Sequence, residues 1–103
     1  MESIELIGQA SPEQVAEWKK KHGDVFAIKV GGHICYLRKP DRKTLAYCNS
    51  VGKVDMIKYN ETLLTNCFIG GSEEVKTDDK LFYGASGQLL NIIEVAEASL
   101  EKL

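Results

Sequence analysis

The chain has no run of about 18 apolar residues, so nothing in it reads as a membrane-spanning helix. Its first residues, Met1-Glu2-Ser3-Ile4-Glu5, lack the basic start and apolar stretch of a secretory signal, and a cytoplasmic protein is expected. Two prolines in 103 residues are too few for a Pro-rich linker, and no repeat or low-complexity tract divides the chain. Cysteine is scarce and odd in number. Cys35, Cys48 and Cys67 stand far apart, which argues against a disulfide framework and fits a reducing compartment. There is no Cys-x-x-Cys, no His-x-x-x-His and no zinc-finger spacing. The glycines form no phosphate-cradling loop with its lysine and no dinucleotide fingerprint. Gly31-Gly32, Gly70-Gly71 and Gly84-Ala85-Ser86-Gly87 read as turns and caps. No metal and no cofactor is expected.

What is present is ordinary for a globular chain: 44% apolar and 27% charged residues, enough for one hydrophobic core. Residues 1–103 read as a single domain, with 1–10 as a flexible lead. The net charge of −2 hides an uneven layout. Residues 1–18 carry four acids and no base; residues 19–47 carry eight bases against Asp24 and Asp41; residues 48–103 return to an acidic balance. A basic middle between acidic flanks suits an acidic partner, or attraction between neighbouring copies, and a homo-oligomer is one expectation.

Ser11-Pro12-Glu13-Gln14 opens a helix, with Ser11 as cap and Pro12 where an amide is not needed. The helix runs through Val15 and Trp18 to Lys19-Lys20-Lys21-His22, cations suited to its negative end, and stops at Gly23. Val25–Val30 and His33–Arg38 form a β-hairpin about Gly31-Gly32, whose positive φ angles suit a two-residue turn. Phe26, Ile28 and Val30 share one face; Ile34, Tyr36 and Arg38 share a face of the partner strand. A helix from Pro40 or Asp41 to Val51 is stopped at Gly52. The spacing of Val54, Ile57, Leu64, Cys67 and Phe68 predicts a longer helix from 54 to 69, closed by Gly70-Gly71. A polar loop over 72–77 leads to a helix started by Asp78-Asp79, and a last helix over about 87–102 aligns Leu89, Ile92, Ile93, Ala96 and Leu100. The fold class is α+β: an N-terminal helix, one β-hairpin, then three or four C-terminal helices packed on it.

Catalytic chemistry has few candidates. His33 and Cys35 are two apart in a strand and so share a face, the most favourable arrangement for a thiol nucleophile and its base. Cys48 and Cys67 sit among apolar helical positions, where cysteine acts as a small hydrophobe. His22 favours its helix dipole. The acids Glu73, Glu74, Asp78 and Asp79 lack the alternating oxygen pattern of a calcium loop. No catalytic residue and no enzyme activity is assigned. The basic cluster Arg38, Lys39, Arg42 and Lys43, with Tyr36 and Tyr47 close by, suits an acidic protein surface. Nucleic acid is not the expected partner, since the domain is acidic overall and lacks a recognised binding motif.

One pattern spans residues 12–103. Trp18-Lys19-Lys20-Lys21-His22-Gly23 ends a capped helix, and Tyr36-Leu37-Arg38-Lys39-Pro40 with Arg42 ends a strand. Asn66-Cys67-Phe68-Ile69-Gly70-Gly71, then Asp78-Asp79, precede a closing Leu100-Glu101-Lys102-Leu103. This resembles the small tail assembly chaperone proteins of long-tailed bacteriophages and prophages. The resemblance implies a non-enzymatic protein in the cytoplasm of a bacterial host. It would bind the long helical tape-measure protein, keep it soluble until the tail tube assembles, and commonly self-associate. Phe68, Ile69, Leu81, Phe82 and Tyr83 would supply an apolar surface beside Arg38, Lys39, Arg42 and Lys43. The alternative is a small regulatory protein that binds a protein or nucleic acid through the basic 38–43 cluster.

Overall fold

Ser11 begins the first element as its sequence suggests: its hydroxyl accepts from the Gln14 amide at 3.2 Å, and Pro12 follows. In the computed structural model, which describes residues 6–53, 55–93 and 98–103, this helix α1 runs Pro12–His22. Gly23 caps its end at φ 81°. Strands β1 (Val25–Val30) and β2 (His33–Arg38) pair antiparallel without a slip, from Val25 against Arg38 to Val30 against His33. Gly31 and Gly32 take φ 55° and 79°, both positive as a type I′ hairpin turn requires.

Helix α2 (Arg42–Val51) is capped by Asp41, whose carboxylate accepts from the Thr44 amide at 2.7 Å. Helix α3 (Met56–Cys67) is capped in the same way by Asp55, which accepts from the Ile57 amide at 2.9 Å. The chain then departs from the sequence expectation. Phe68–Gly71 is a third strand, β3, antiparallel to β2, giving the order β1-β2-β3. The long helix expected to reach Ile69 ends at Cys67, and Gly70-Gly71 is strand rather than helix stop; Val54 lies outside the described residues. Trp18 explains the choice. Its ring lies on Gly70 so closely that a β-carbon there would come within 2.4 Å of it, so a side chain at this position would force the ring to shift.

The expected polar loop contains one helical turn, α4 (Glu74–Thr77), and Asp78 caps α5 (Asp79–Ser86) through the Leu81 amide at 3.2 Å. The last helix is shorter than expected: a 3-10 turn covers Leu89–Ile92, and 98–103 has no regular structure. Residues 94–97, Ala96 among them, lie outside the described residues. Of the predicted apolar face, Leu89 and Ile92 are buried, while Leu100 is 99% exposed.

The sheet is covered on both faces. Phe26, Ile28 and Val30 pair with Leu37, Cys35 and His33, so these six share one face. Onto it pack Cys48 of α2, Leu63, Leu64 and Cys67 of α3, Val75, Phe82 and Ala85, closed by Leu89 and Ile92. On the other face Trp18 of α1 meets Tyr36 with ring centroids 5.1 Å apart. Of the lead expected to be flexible, residues 1–5 lie outside the described residues. Leu6–Ala10 is tied down: the Ile7 amide donates to the Gly32 carbonyl, the Ile34 amide to the Ile7 carbonyl, and the Ala10 amide to the Tyr36 hydroxyl.

Candidate functional site

Arg38 is the first of the basic residues proposed for partner binding, and its guanidinium is engaged internally. It donates to the Thr44 hydroxyl at 3.2 Å, the Asn66 carbonyl at 3.1 Å and the Lys39 carbonyl at 3.4 Å. It thus ties the end of β2 to the start of α2 and the end of α3. Lys39, Arg42 and Lys43 are exposed at the same corner. Asp41 stands among them, its carboxyl held below the usual range first by the Thr44 amide and then by the Thr44 hydroxyl. The corner keeps a positive balance.

The proposed apolar residues divide. Leu81 and Phe82 are each 8% exposed and turned inward, Leu81 against Gly31 at the hairpin turn. Phe68 and Ile69 are half-buried in β3, and Lys76 lies over the Phe68 ring at 4.2 Å from its centroid. Tyr83 alone of the five is exposed, at 59%. These residues therefore do not form one open apolar face beside the basic corner.

Exposed apolar side chains are found instead on α2 and α3. Tyr47 is 55% exposed, Met56 61%, Ile57 47% and Val51 39%. The two helices pack side by side through Cys48, Tyr59 and Leu63, leaving a groove on each flank. One is lined by Ala46, Asn49 and Ser50 of α2 with Met56 and Tyr59 of α3. The other is lined by Tyr47 of α2 with Glu61, Thr62 and Thr65 of α3. The sequence reading sets Tyr47 beside the basic cluster and Ile57 on the apolar stripe of a helix, and it does not single out Met56 or Val51 as surface residues. The signal that separates them is Cys48 with Leu45, a competing stripe that takes the inner face of the same short helix.

Charge around the helical pair is one-sided. Arg38, Lys39, Arg42, Lys43, Lys53 and Lys58 stand against Asp41, Asp55 and Glu61, and two of those acids are turned to helix-capping amides.

The thiols are chemically quiet. Burial pushes Cys35 and Cys67 each up to about 11, and pushes Cys48 up as well. His33 shares the face of Cys35, as the sequence suggests, but its Nδ1 pairs with Ser72 Oγ at 2.8 Å and its Nε2 lies 4.0 Å from Glu74. This serine, histidine and carboxylate stand in the order of a hydrolytic triad. However, Ser72 is 5% exposed, and its amide donates to the Ile34 carbonyl rather than to a cavity. The group acts as a staple between β2 and the segment after β3. Among the described residues no cluster of three or more potential ligands could hold a metal ion, and no helix is long and apolar enough to cross a membrane.

Compared with protein-family models, with curated proteins and with solved structures, the chain matches none of them, so the reading of its function rests on this geometry and on the sequence.

Proposed function

We propose that this chain is a non-enzymatic binding protein of the tail-assembly-chaperone kind, which holds an acidic amphipathic helix of a long, tape-measure-like partner on its α2–α3 pair. The observation that carries this reading is the exposure of Tyr47, Met56 and Ile57 on two adjacent helices whose sequences and flanks hold more bases than acids. A large aromatic and a flexible methionine are the side chains that recur where one helix lies in the groove of another. Arg42, Lys43, Lys53 and Lys58 supply a rim that attracts acidic helices and repels basic ones. A long helical protein offers many such turns in succession. Several copies of a small chain then cover its apolar stripe and keep it from aggregating.

The test is co-expression with the long helical protein encoded nearest downstream, followed by light scattering of the purified material. A soluble complex holding several copies of this chain is expected. Tyr47→Glu combined with Met56→Glu should return the partner to the insoluble fraction while leaving this chain folded, since both side chains are exposed. A partner that stays insoluble with the wild-type chain would sink the reading. The regulatory alternative, binding through Lys39, Arg42 and Lys43, would instead gain from binding to an acidic polymer that weakens steeply with salt.

A further inference from the structure

The hairpin leaves one side of its first strand unpaired. Ile34 directs its backbone away from β1, its amide to Ile7 and its carbonyl to Ser72, both at 2.9 Å. Backbone groups alternate in direction along an antiparallel strand, so His33, Cys35 and Leu37 are the residues of β2 that bond to β1. Their partners are Val30, Ile28 and Phe26. The amides and carbonyls of Val25, Ala27 and Lys29 therefore point outward, and among the described residues no strand pairs with them. β1 holds no proline and its register with β2 is unbroken, so its exposed Lys29 is the one residue in the strand that blunts this edge.

Two pockets border this strand and share Phe26. One is lined by Lys19, Gly23, Asp24 and Phe26; the other by Phe26, Ile28 and Lys29 with Gln88, Asn91 and Ile92 of the 3-10 turn. Phe26, Ile28 and Ile92 give the second an apolar floor and Gln88 and Asn91 an amide wall, and Lys19 and Lys29 place one cation at each pocket. Lys20, Lys21 and His22 add further basic groups where α1 ends.

We infer that the outer edge of β1 accepts an extended, acidic segment of a partner polypeptide as a fourth strand. Only an extended backbone meets donors and acceptors spaced along a strand, and only alternate side chains of such a segment reach the apolar floor. Charge decides between a foreign segment and a second copy of this chain. Self-pairing about Ala27 would set Lys29 of the second copy opposite Val25 and so beside Lys19, bringing cations together at a pocket that Asp24 also lines. A segment carrying glutamates meets Lys19 and Lys29 with opposite charge. This edge is separate from the α2–α3 pair, so each proposal can fail alone.

The probes are three capped hexapeptides: alternating glutamate and valine, alternating lysine and valine, and the glutamate peptide methylated at every second backbone nitrogen. Binding is followed by amide chemical shifts and hydrogen exchange of the full chain. The Glu-Val peptide should bind, shift the amides of Val25, Ala27 and Lys29, and slow their exchange by about tenfold or more. Its methylated form and the Lys-Val peptide should bind at least about tenfold more weakly. Ala27→Pro should abolish binding yet keep the protection of Phe26, Ile28 and Val30, because the lost amide makes no bond to β2. Lys19→Glu with Lys29→Glu, which leaves the backbone alone, should reverse the preference toward the Lys-Val peptide. Equal binding of both peptides, shifts confined to α2 and α3, or shifts that follow protein concentration without peptide would each overturn the inference.

Discussion

Burial governs what single side chains can do here. Cys35 has 0% of its surface exposed and its thiol is pushed up to about 11, and Cys67 is in the same state. A thiol at about 11 is roughly one part in a thousand thiolate at pH 8, against about a quarter for an ordinary cysteine near 8.5. Iodoacetamide at pH 8 should therefore label Cys35 and Cys67 of the native chain at least about a hundredfold more slowly than free cysteine, given that thiolate fraction. Denaturant should bring all three thiols to the ordinary rate. Rapid native labelling of Cys35 would reopen the nucleophile reading with His33 as its base. At this scale the sequence was informative about the cysteines, because an odd number of widely spaced thiols among apolar neighbours has one common physical fate. It was uninformative about Arg38. A basic residue in a basic cluster reads as solvated, and only the fold brings the Asn66 carbonyl within 3.1 Å of it.

Elements bounded by local chemistry could be read in advance, and those defined by contact could not. Ser11 with Gly23, Gly31 with Gly32, and Asp41 with Gly52 each set an element through bonds a few residues apart, and α1, the hairpin and α2 follow. β3 has no such markers: Phe68 and Ile69 continue the apolar spacing of α3, and Gly70-Gly71 resembles a helix stop. What makes it a strand is distant, the open side of β2 and the indole of Trp18. The same split holds for the site. The basic corner was legible from residue type, while the inward turn of Leu81 and Phe82 depends on which face α5 presents to the hairpin. Contact between Trp18 and Gly70 makes the dependence measurable. Gly70→Ala should cost about 1–3 kcal/mol by overpacking, read from urea unfolding. In a Trp18→Ala background the same change should cost about 1 kcal/mol less, a coupling within the range for residues in direct contact. Equal costs in the two backgrounds would mean that the ring does not hold β3 in place.

Across the whole molecule, two surfaces with different recognition chemistry share one sign of charge. As proposed, the α2–α3 pair would offer side chains to a helix and the β1 edge backbone to an extended segment, and a lysine lines a pocket at each. With cations at both surfaces, like surfaces of two copies repel, although the acidic flanks of a chain of net charge −2 can still attract a basic surface. Several copies gathered along one long partner would then be held by that partner and not by each other. The consequence can be tested on the isolated chain by sedimentation equilibrium. At low ionic strength the wild type should show little association through β1, because Lys29 of one copy would approach Lys19 of the next. Added salt should relieve that repulsion slightly, since both lysines are exposed and screened over roughly 10 Å at 0.1 M. Lys29→Glu converts the repulsion into a matched pair, twice over in a two-fold dimer. It should strengthen self-association by about tenfold, near 1.4 kcal/mol for the two exposed pairs together. Ala27→Pro in the same chain should remove that gain, as pairing through the Ala27 amide requires. If Lys29→Glu leaves the association constant unchanged, charge does not guard the edge, and the preference for an acidic foreign strand over a second copy loses its physical basis.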